Sequence, residues 1–369
     1  MVSKQSSEYR YVKRTVGYGD SPTLKDVAEQ AGVSVGTASQ ALNGRPNVSP
    51  ETRARVIDVA SLLGYQVRDL KLRPVETTIS VVGLLIKHDY GFDEHPLVNP
   101  FYSHVQAGVE QACRRAGLSL MLGGLEVDHR NQPLAWPAMI EEQRIDGLLI
   151  AGVFLDGSLS QFRQRLAVPI VLIDAYASNQ PFDSIVTDNV EGSHEAVAHL
   201  IALGHRTIGL IGWTTGGPLS FAGRREGYER ALREGGLAPQ VIETVKLDRE
   251  GAYEATLQLL HRVPDMTAIF TCNDEMAIGV MRAARSLGRQ IPQDLSVVGF
   301  DNIDLAREIQ PSLTTVHVQK TWMGNIGLRR LIERAQNPDQ PRTTTTIATS
   351  LIIRESTCPP RAELGGHTT

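Results

Sequence analysis

The chain has 369 residues, of which 41% are hydrophobic, so it is long enough to bury the cores of two or three domains. It has no apolar run near the ~20 residues that cross a bilayer, and residues 1–20 lack the apolar stretch of a secretory signal. Its three cysteines are far apart, and its ten histidines show no metal-ligand spacing. These features argue against a membrane protein, a disulfide scaffold and a zinc module, and we expect a cytoplasmic protein without metal or cofactor.

Charge is distributed unevenly along the chain, although the net charge is only −4. Up to Arg73 there are eleven Lys/Arg against seven Asp/Glu, whereas the remainder has 26 against 34. A small basic module on a large acidic body is typical of a DNA reader joined to a domain that does not bind DNA. Ordinary variation of surface charge is the alternative interpretation of so modest an imbalance.

Residues 23–65 predict three short helices, each with its own start and stop signal. Thr23, Ser34 and Ser49 can cap the helices at their amino termini, and Pro50 occupies a first helical position, where proline is tolerated. The glycines that end the helices are Gly32, Gly44 and Gly64. Two short helices joined by a tight glycine turn form the helix-turn-helix shape, whose second helix enters the DNA major groove. Generic packing of three helices would use the same apolar positions.

Several short motifs in this segment resemble the DNA-binding headpiece of the LacI/GalR family of bacterial transcriptional regulators. They are LKDVA (24–28), AGVS (31–34), LNG (42–44), VS (48–49), ETR (51–53) and GY (64–65). The resemblance implies that Val35, Gly36 and Gln40 face base edges, while Thr37 and Ser39 contact phosphates. The other residues that we assign to the DNA contact are Thr23, Ser34, Asn43 and Arg45.

The second helix departs from the family pattern at positions that bear on DNA recognition. Gln40 stands where most members carry arginine, and Ala38 stands where most carry valine. Arginine pairs with guanine, whereas glutamine suits the adenine edge. Gly36 also lowers helix propensity by about 1 kcal/mol relative to alanine.

The hinge that follows also departs from the family, whose members insert a leucine from a short helix into the minor groove. Here Pro74 takes the place of that leucine, and proline disfavours helical geometry at Arg73. Pro74 itself could serve as the wedge, as could Leu70 or Leu72. A flexible linker is the alternative.

From Ile79 onward the chain alternates short apolar strands with amphipathic helices, in two similar series. Such alternation predicts parallel sheets covered by helices on both faces. The sequence thus predicts two doubly wound lobes, with a ligand cleft outside the carboxyl ends of their strands. This region resembles the periplasmic-binding-protein-like effector core of the LacI/GalR family. The matching motifs are NPFY (99–102), DGLL (146–149), TDN (187–189), LGHR (203–206), GY (227–228), CND (272–274), SVVGFD (296–301) and PSLTT (311–315).

The predicted domain boundaries combine the two series with this resemblance, which implies crossings between the lobes near 185–190, 313–320 and 344–349. The boundaries are a flexible tail at 1–21; a helix-turn-helix domain at 22–66; a hinge at 67–80; an effector-binding and dimerisation core at 81–358, with an N-lobe of 81–186 and 318–346 and a C-lobe of 187–317 and 347–358; and a carboxy-terminal tail at 359–369.

Polar residues at strand ends form the predicted ligand site. Asp174, Asn273 and Asp301 each end an apolar strand, and Arg224 lies at the start of a helix. The resemblance implies that these four contact an effector, because Asp and Asn suit neighbouring hydroxyls and arginine offers a fixed donor fork. Aromatic residues that could cover a sugar ring are Phe101, Tyr102 and Trp213. The alternative is that the two aspartates merely cap the following helices or turns.

Together these features predict a homodimeric repressor that binds operator DNA under the control of a small effector, most simply a sugar or oligosaccharide. The carboxy-terminal tail has no heptad repeat that would indicate a tetramer. The glycine-rich GLIGWTTGG (209–217) matches neither the dinucleotide nor the P-loop pattern, and we identify no catalytic residues. The alternatives are a solute-binding protein, or a nucleotide- or sugar-converting enzyme, with a fused DNA-binding module.

Overall fold

The computed structural model describes residues 23–42, 48–63, 79–89, 99–128, 131–152, 156–176 and 182–361. The chain divides into two compact units, Met1–Val75 and Glu76–Thr369. Five residues of the predicted DNA contact and hinge lie outside the described ranges: Asn43, Arg45, Leu70, Leu72 and Pro74.

The helices and strands follow one another along the described chain in the order that alternating strand and helix signals predict. The helices are α1 Leu24–Ala31, α2 Val35–Leu42, α3 Pro50–Leu63, α4 Pro100–Ala116, α5 Ala138–Glu141, α6 Asp156–Arg165, α7 Asn189–Ala202, α8 Leu219–Glu234, α9 Arg249–Arg262, α10 Asp274–Ser286, α11 Leu305–Glu308 and α12 Lys320–Gln336. The strands are β1 Val81–Asp89, β2 Ser119–Val127, β3 Gly147–Ala151, β4 Ile170–Ile173, β5 Asp183–Thr187, β6 Ile208–Trp213, β7 Gln240–Glu243, β8 Ala268–Thr271, β9 Ser296–Asp301, β10 Thr314–His317, β11 Thr344–Ile347 and β12 Ser350–Ile352.

The amino-terminal unit is a bundle of α1, α2 and α3 around a small core. A capping box starts α1, because the backbone N–H of Thr23 donates to Asp26 Oδ2 at 2.8 Å while the Asp26 N–H donates to Thr23 Oγ1 at 3.4 Å. Gly32 ends α1 with a left-handed φ of 65°. The buried core consists of Val27, Ala28, Ala31, Ala38, Ala41, Val48, Val56 and Ala60.

The second unit contains two six-stranded sheets, which we call sheet A and sheet B. Sheet A has the strand order β11-β5-β4-β3-β1-β2, and all its pairs are parallel. Sheet B has the order β12-β10-β9-β8-β6-β7, and only the β10–β12 pair is antiparallel. The predicted fold class, an α-helical headpiece followed by two doubly wound lobes, is confirmed.

The chain passes from one sheet to the other after β5, after β10 and between β11 and β12. As a result α12 packs on sheet A, against α4 and strands β3, β4 and β5, although it follows five strands of sheet B. The contact between α4 and α12 is so close that a Cβ atom on Gly108 would lie only 2.0 Å from the Thr321 carbonyl oxygen. We call the part built on sheet A the N-lobe and the part built on sheet B the C-lobe.

Candidate functional site

A cavity of about 170 Å³ lies between the N-lobe and the C-lobe, at the carboxyl ends of strands from both sheets. Its lining residues are Asn99, Pro100, Phe101, Tyr102, Asp174, Pro218, Ser220, Phe221, Arg224, Asn273, Glu275, Asp301 and Ile303. Six of the seven residues that we proposed for the effector site from the sequence are among them. We call this cavity the cleft.

Asp174 reaches the cleft from the end of β4. Its φ of 57° is left-handed, a conformation that aspartate tolerates better than most residues. The hydroxyl of Tyr102 donates to its Oδ2 at 3.0 Å, whereas its Oδ1 is buried without a hydrogen-bond partner among the described residues. Burial raises the pKa of Asp174 to about 6, and the nearby Arg224 opposes that rise.

Arg224 is the cation of the cleft and is only 2% exposed. Its Nε donates to Asn189 Oδ1 at 2.8 Å, and its Nη1 donates to the Cys272 carbonyl. Its carbon Cζ also lies 3.8 Å from the centre of the Phe300 ring. The side chain is therefore held in one position by Asn189 on α7, by Cys272 directly after β8 and by Phe300 on β9.

Asp301 ends β9 with a φ of 105°, an unusual conformation for a residue with a side chain. Arg224 Nη2 lies 3.2 Å from Asp301 Oδ1, an ion pair without the alignment of a hydrogen bond, so this oxygen also has no hydrogen-bond partner among the described residues. Burial raises the pKa of Asp301, while Arg224 and Lys320 oppose the rise. Asp174 Oδ1 thus has no donor among the described residues, whereas Asp301 Oδ1 has the ion pair with Arg224, and both residues line the cleft.

Asn273 has a structural role at the same edge. Its Oδ1 accepts from the Met276 N–H at 2.8 Å and so caps α10. Helix capping, the alternative role that we considered for Asp174 and Asp301, is made here by Asn273, which also lines the cleft.

Trp213 does not line the cleft, in contrast to our expectation from the sequence. It is the last residue of β6, where Gly212 has a φ of 107° and the register against β7 shifts. The guanidinium carbon of Arg225 lies 4.1 Å from the centre of its ring. Trp213 thus packs against Arg225, and the aromatic residues that line the cleft are Phe101, Tyr102 and Phe221.

Sequence reasoning missed several residues at or beside the cleft. Asn189, which holds Arg224, lies in the TDN motif but attracted no role of its own. Asp274 is buried next to the cleft, where it accepts from the Ile303 N–H at 2.8 Å and the Thr315 hydroxyl at 2.5 Å. Burial raises the pKa of Asp274 to about 8. The TDN and CND motifs contain Asn189 and Asp274 and could have drawn attention to them, whereas no sequence pattern pointed to Phe221.

The exposed face of α2 carries the residues that we assigned to base edges. Val35 is 46% exposed, and Gly36 and Gln40 are also exposed. Ala38 and Ala41 are buried in the headpiece core, so the opposite side of the helix faces inward. Nothing else in the described headpiece covers this face.

The remaining described residues of the predicted DNA contact lie at helix starts or partly inside. Ser34 Oγ accepts from the Thr37 N–H at 3.0 Å, which caps α2. The Thr23 hydroxyl donates to Asp26 Oδ2 at 2.6 Å. Thr37 and Ser39 are half-buried beside the exposed face. Thr23 and Ser34 stand at the starts of α1 and α2, where phosphates are commonly held.

Comparison with known proteins agrees with both parts of the structure. Residues 23–67 match the family described as "Bacterial regulatory proteins, lacI family", and residues 197–357 match "Periplasmic binding protein-like domain". A ribose operon repressor of Haemophilus influenzae is 33% identical over 343 residues, which cover 90% of this chain and 98% of that protein. The chain belongs to the LacI family of bacterial regulatory proteins.

Solved structures of LacI-family proteins resemble the whole chain. The transcriptional regulator CelR in complex with cellobiose has a TM-score of 0.64 and 28% identity, covering 91% of this chain and 99% of that one. The lac repressor dimer bound to operator and an anti-inducer has a TM-score of 0.63 and 25% identity, covering 92% and 100%. Within the described part of this LacI-family chain, no helix is long and apolar enough to cross a membrane.

Proposed function

We propose that this LacI-family chain is a cytoplasmic, homodimeric, sequence-specific repressor whose affinity for operator DNA is controlled by a carbohydrate bound in the cleft. The observation that carries the proposal is the buried polar cluster of Asp174, Arg224 and Asp301 in a cavity between two lobes, in which Asp174 Oδ1 has no hydrogen-bond partner among the described residues. A buried acceptor without a donor costs free energy, and the hydroxyls of a sugar would supply donors. The similarity to a sugar-bound and to an operator-bound regulator supports the same conclusion.

Control of DNA binding would act through the closure of the lobes. Polar contacts join them beside the cleft: for example, His104 Nε2 lies 3.2 Å from Asp304 Oδ2, and Asn189 Nδ2 donates to the Tyr176 hydroxyl at 3.1 Å. A ligand held by residues of both lobes binds the closed arrangement more tightly than an open one. It therefore shifts the population toward closure, and the positions of the two hinges in a dimer change with it.

The exposed face of α2 supports the DNA-binding half of the proposal. A helix that presents Val35, Gly36 and Gln40 while its other side is buried suits insertion into a major groove. A homodimer would place two such helices on a pseudo-palindromic site.

The core without the headpiece would also suit a solute-binding protein or a sugar-converting enzyme. The helix-turn-helix unit is not needed by either, and the described residues contain no cluster of three His, Cys, Asp or Glu side chains that could hold a catalytic metal. The operator-binding proposal accounts for both units with one function.

The proposal is tested by selecting binding sites from genomic fragments with the full-length protein, followed by gel shifts on the selected DNA. We expect a site with two-fold symmetry and an affinity that changes on adding a sugar. A protein that binds sugars but no specific DNA would favour the solute-binding alternative. Consumption of the sugar during the assay would favour an enzyme.

A further inference from the structure

The charges around the cleft are unbalanced in a way that bears on the ligand. Three carboxylates line it, those of Asp174, Glu275 and Asp301, against the single guanidinium of Arg224. Glu275 has its own partner, since Arg249 Nη2 donates to its Oε1 at 3.0 Å. Asp301 has Arg224 at 3.2 Å. Among the described residues, Asp174 is the lining carboxylate with no cation in contact, and its one hydrogen bond comes from the neutral hydroxyl of Tyr102.

The cations nearby are largely engaged by protein oxygens, which leaves an anionic ligand only the second N–H of each terminal nitrogen of Arg224. Each nitrogen of the Arg224 guanidinium already contacts an oxygen of Asn189, Cys272 or Asp301. Lys320 donates to the carbonyl oxygens of Asp301 and Asn302. The cleft therefore offers a ligand more acceptors than donors.

Arg354 also lies close to this region, on a separate cavity of about 280 Å³ that Lys320 and His317 share. Its Nη1 donates to the Leu313 carbonyl at 2.7 Å and its Nη2 donates to Asn302 Oδ1 at 2.8 Å. It does not line the cleft and does not offset the charge of Asp174.

The size of the cleft limits the ligand as well. Its volume of about 170 Å³ is smaller than the ~300–1,000 Å³ of pockets that enclose drug-sized molecules. Phe101 from the N-lobe and Phe221 from the C-lobe stand on its wall, where they can cover the apolar faces of one ring. A single sugar ring suits this space better than two.

We propose that the cleft accepts a single-ring sugar that is neutral or carries an amine, and that Asp174 makes it reject phosphorylated and acidic sugars. The inference rests on the proposed function, since it presumes that a carbohydrate is the effector. A phosphate brought beside Asp174 meets like charge in a desolvated site, whereas hydroxyl and ammonium groups donate to its unpartnered Oδ1. Because the pKa of Asp174 is raised to about 6, this carboxylate is mainly ionised at pH 7.

Calorimetry at pH 7 on the full-length protein tests the inference with matched probes. One series is glucose, glucosamine and glucose 6-phosphate; the second is ribose and ribose 5-phosphate; cellobiose is the two-ring probe. We expect the neutral or amine-bearing sugar of a series to bind at least tenfold more tightly than its phosphate. Asp174→Asn should reduce that ratio about tenfold. Glu226→Gln, which removes an exposed charge from the same helix as Arg224, should leave the ratio unchanged.

Each contrary result has a distinct meaning. A sugar phosphate that binds as tightly as its neutral counterpart overturns the charge selectivity, and an unchanged ratio in Asp174→Asn overturns the role of Asp174. Tighter binding of cellobiose than of glucose overturns the limit to one ring. In all three cases the proposed function stands. If no sugar binds while a purine such as guanine changes operator affinity, the carbohydrate effector itself is wrong, and this inference fails with it.

Discussion

Arg224 and Asn189 are joined by a 2.8 Å hydrogen bond that ties α8 to α7 at the edge of the cleft. The contact depends on a close approach of the two helices. A Cβ atom on Gly227, one turn after Arg224, would lie 2.2 Å from the carbonyl oxygen of Val190. Only glycine allows the helices to approach so closely without a shift of the backbone. The packing of two helices in the C-lobe thus positions a charge for the ligand.

The first prediction concerns this network. Arg224→Ala and Asp301→Ala should each weaken effector binding tenfold or more, because removing one partner leaves buried polar groups unpaired at a cost of roughly 1–3 kcal/mol, and 1.4 kcal/mol is a factor of ten. Calorimetry with the identified sugar measures the loss. Arg233→Ala, at an exposed position on the same helix, is the control.

Operator binding without effector should persist in both variants, because the headpiece lies in a separate compact unit. Gel shifts on the same preparations test this. If both variants bind the sugar normally, the assignment of the site is wrong. If both lose DNA binding alone, the two residues maintain the fold or the dimer instead.

Local signals predict which strands end in polar residues, because those signals are short in range. Asp174 and Asp301 follow apolar strands, and the carboxyl ends of parallel strands meet at one edge of a sheet. The cap at Thr23 and the stop at Gly32 likewise depend only on the residues beside them. Such features need no knowledge of how distant segments pack.

Contacts between distant segments could not be predicted in this way. The bond between Arg224 and Asn189 joins residues 35 positions apart, and its geometry is set by the approach of α7 and α8 at Gly227. Trp213, which we named as a possible cover for a sugar ring, packs against Arg225 where the register at the end of β6 shifts, and that shift is not visible in the sequence. Such irregularities decide on which face of the sheet the last residue of a strand lies.

A second prediction concerns base recognition by Gln40, which is exposed on α2. Gln40→Arg should shift the preference from adenine to guanine at one symmetric pair of positions in the operator, each good pair being worth ~1–3 kcal/mol. Binding-site selection from random DNA with both proteins measures the change. Glu29→Gln, on the exposed side of α1, should return the wild-type consensus. An identical consensus for Gln40→Arg would mean that this side chain does not face the base.

A third prediction concerns the electrostatic part of DNA binding. The logarithm of the operator affinity should fall linearly with the logarithm of salt concentration, by about 0.9 for each phosphate that the protein neutralises. Arg55 is exposed on α3, and Arg55→Gln should reduce that slope by about one if it contacts a phosphate. Arg55→Lys keeps the charge and should keep the slope. A salt-independent affinity in the wild type would rule out a phosphate-based contact.

The last prediction concerns His205, which is 1% exposed and fastens the carboxy-terminal segment to the C-lobe. Its Nε2 lies 2.9 Å from the Cys358 carbonyl oxygen, which can only accept, so this nitrogen carries the proton. Its Nδ1 then accepts from the Thr267 hydroxyl at 2.9 Å. Burial lowers the pKa of His205 below its usual 6.5, and the positive field of His199 lowers it further.

A group whose pKa is lowered in the folded state contributes stability that is present above 6.5 and is lost as the pH falls through the folded value. The buried Asp274, with a pKa raised to about 8, acts in the opposite sense, so the comparison must be with a variant rather than between two pH values alone.

We expect the wild type to lose more free energy of unfolding between pH 7.5 and pH 5.5 than His205→Gln, whose amide can keep both hydrogen bonds without titrating. At pH 7.5, His205→Ala should cost roughly 1–3 kcal/mol, because the Cys358 carbonyl keeps only the Ser296 hydroxyl as a donor and the Thr267 hydroxyl loses its acceptor. Urea unfolding followed by tryptophan fluorescence reports on the unit Glu76–Thr369, which contains all three tryptophans, Trp136, Trp213 and Trp322. Equal losses in the wild type and in His205→Gln would show that His205 does not titrate in this range.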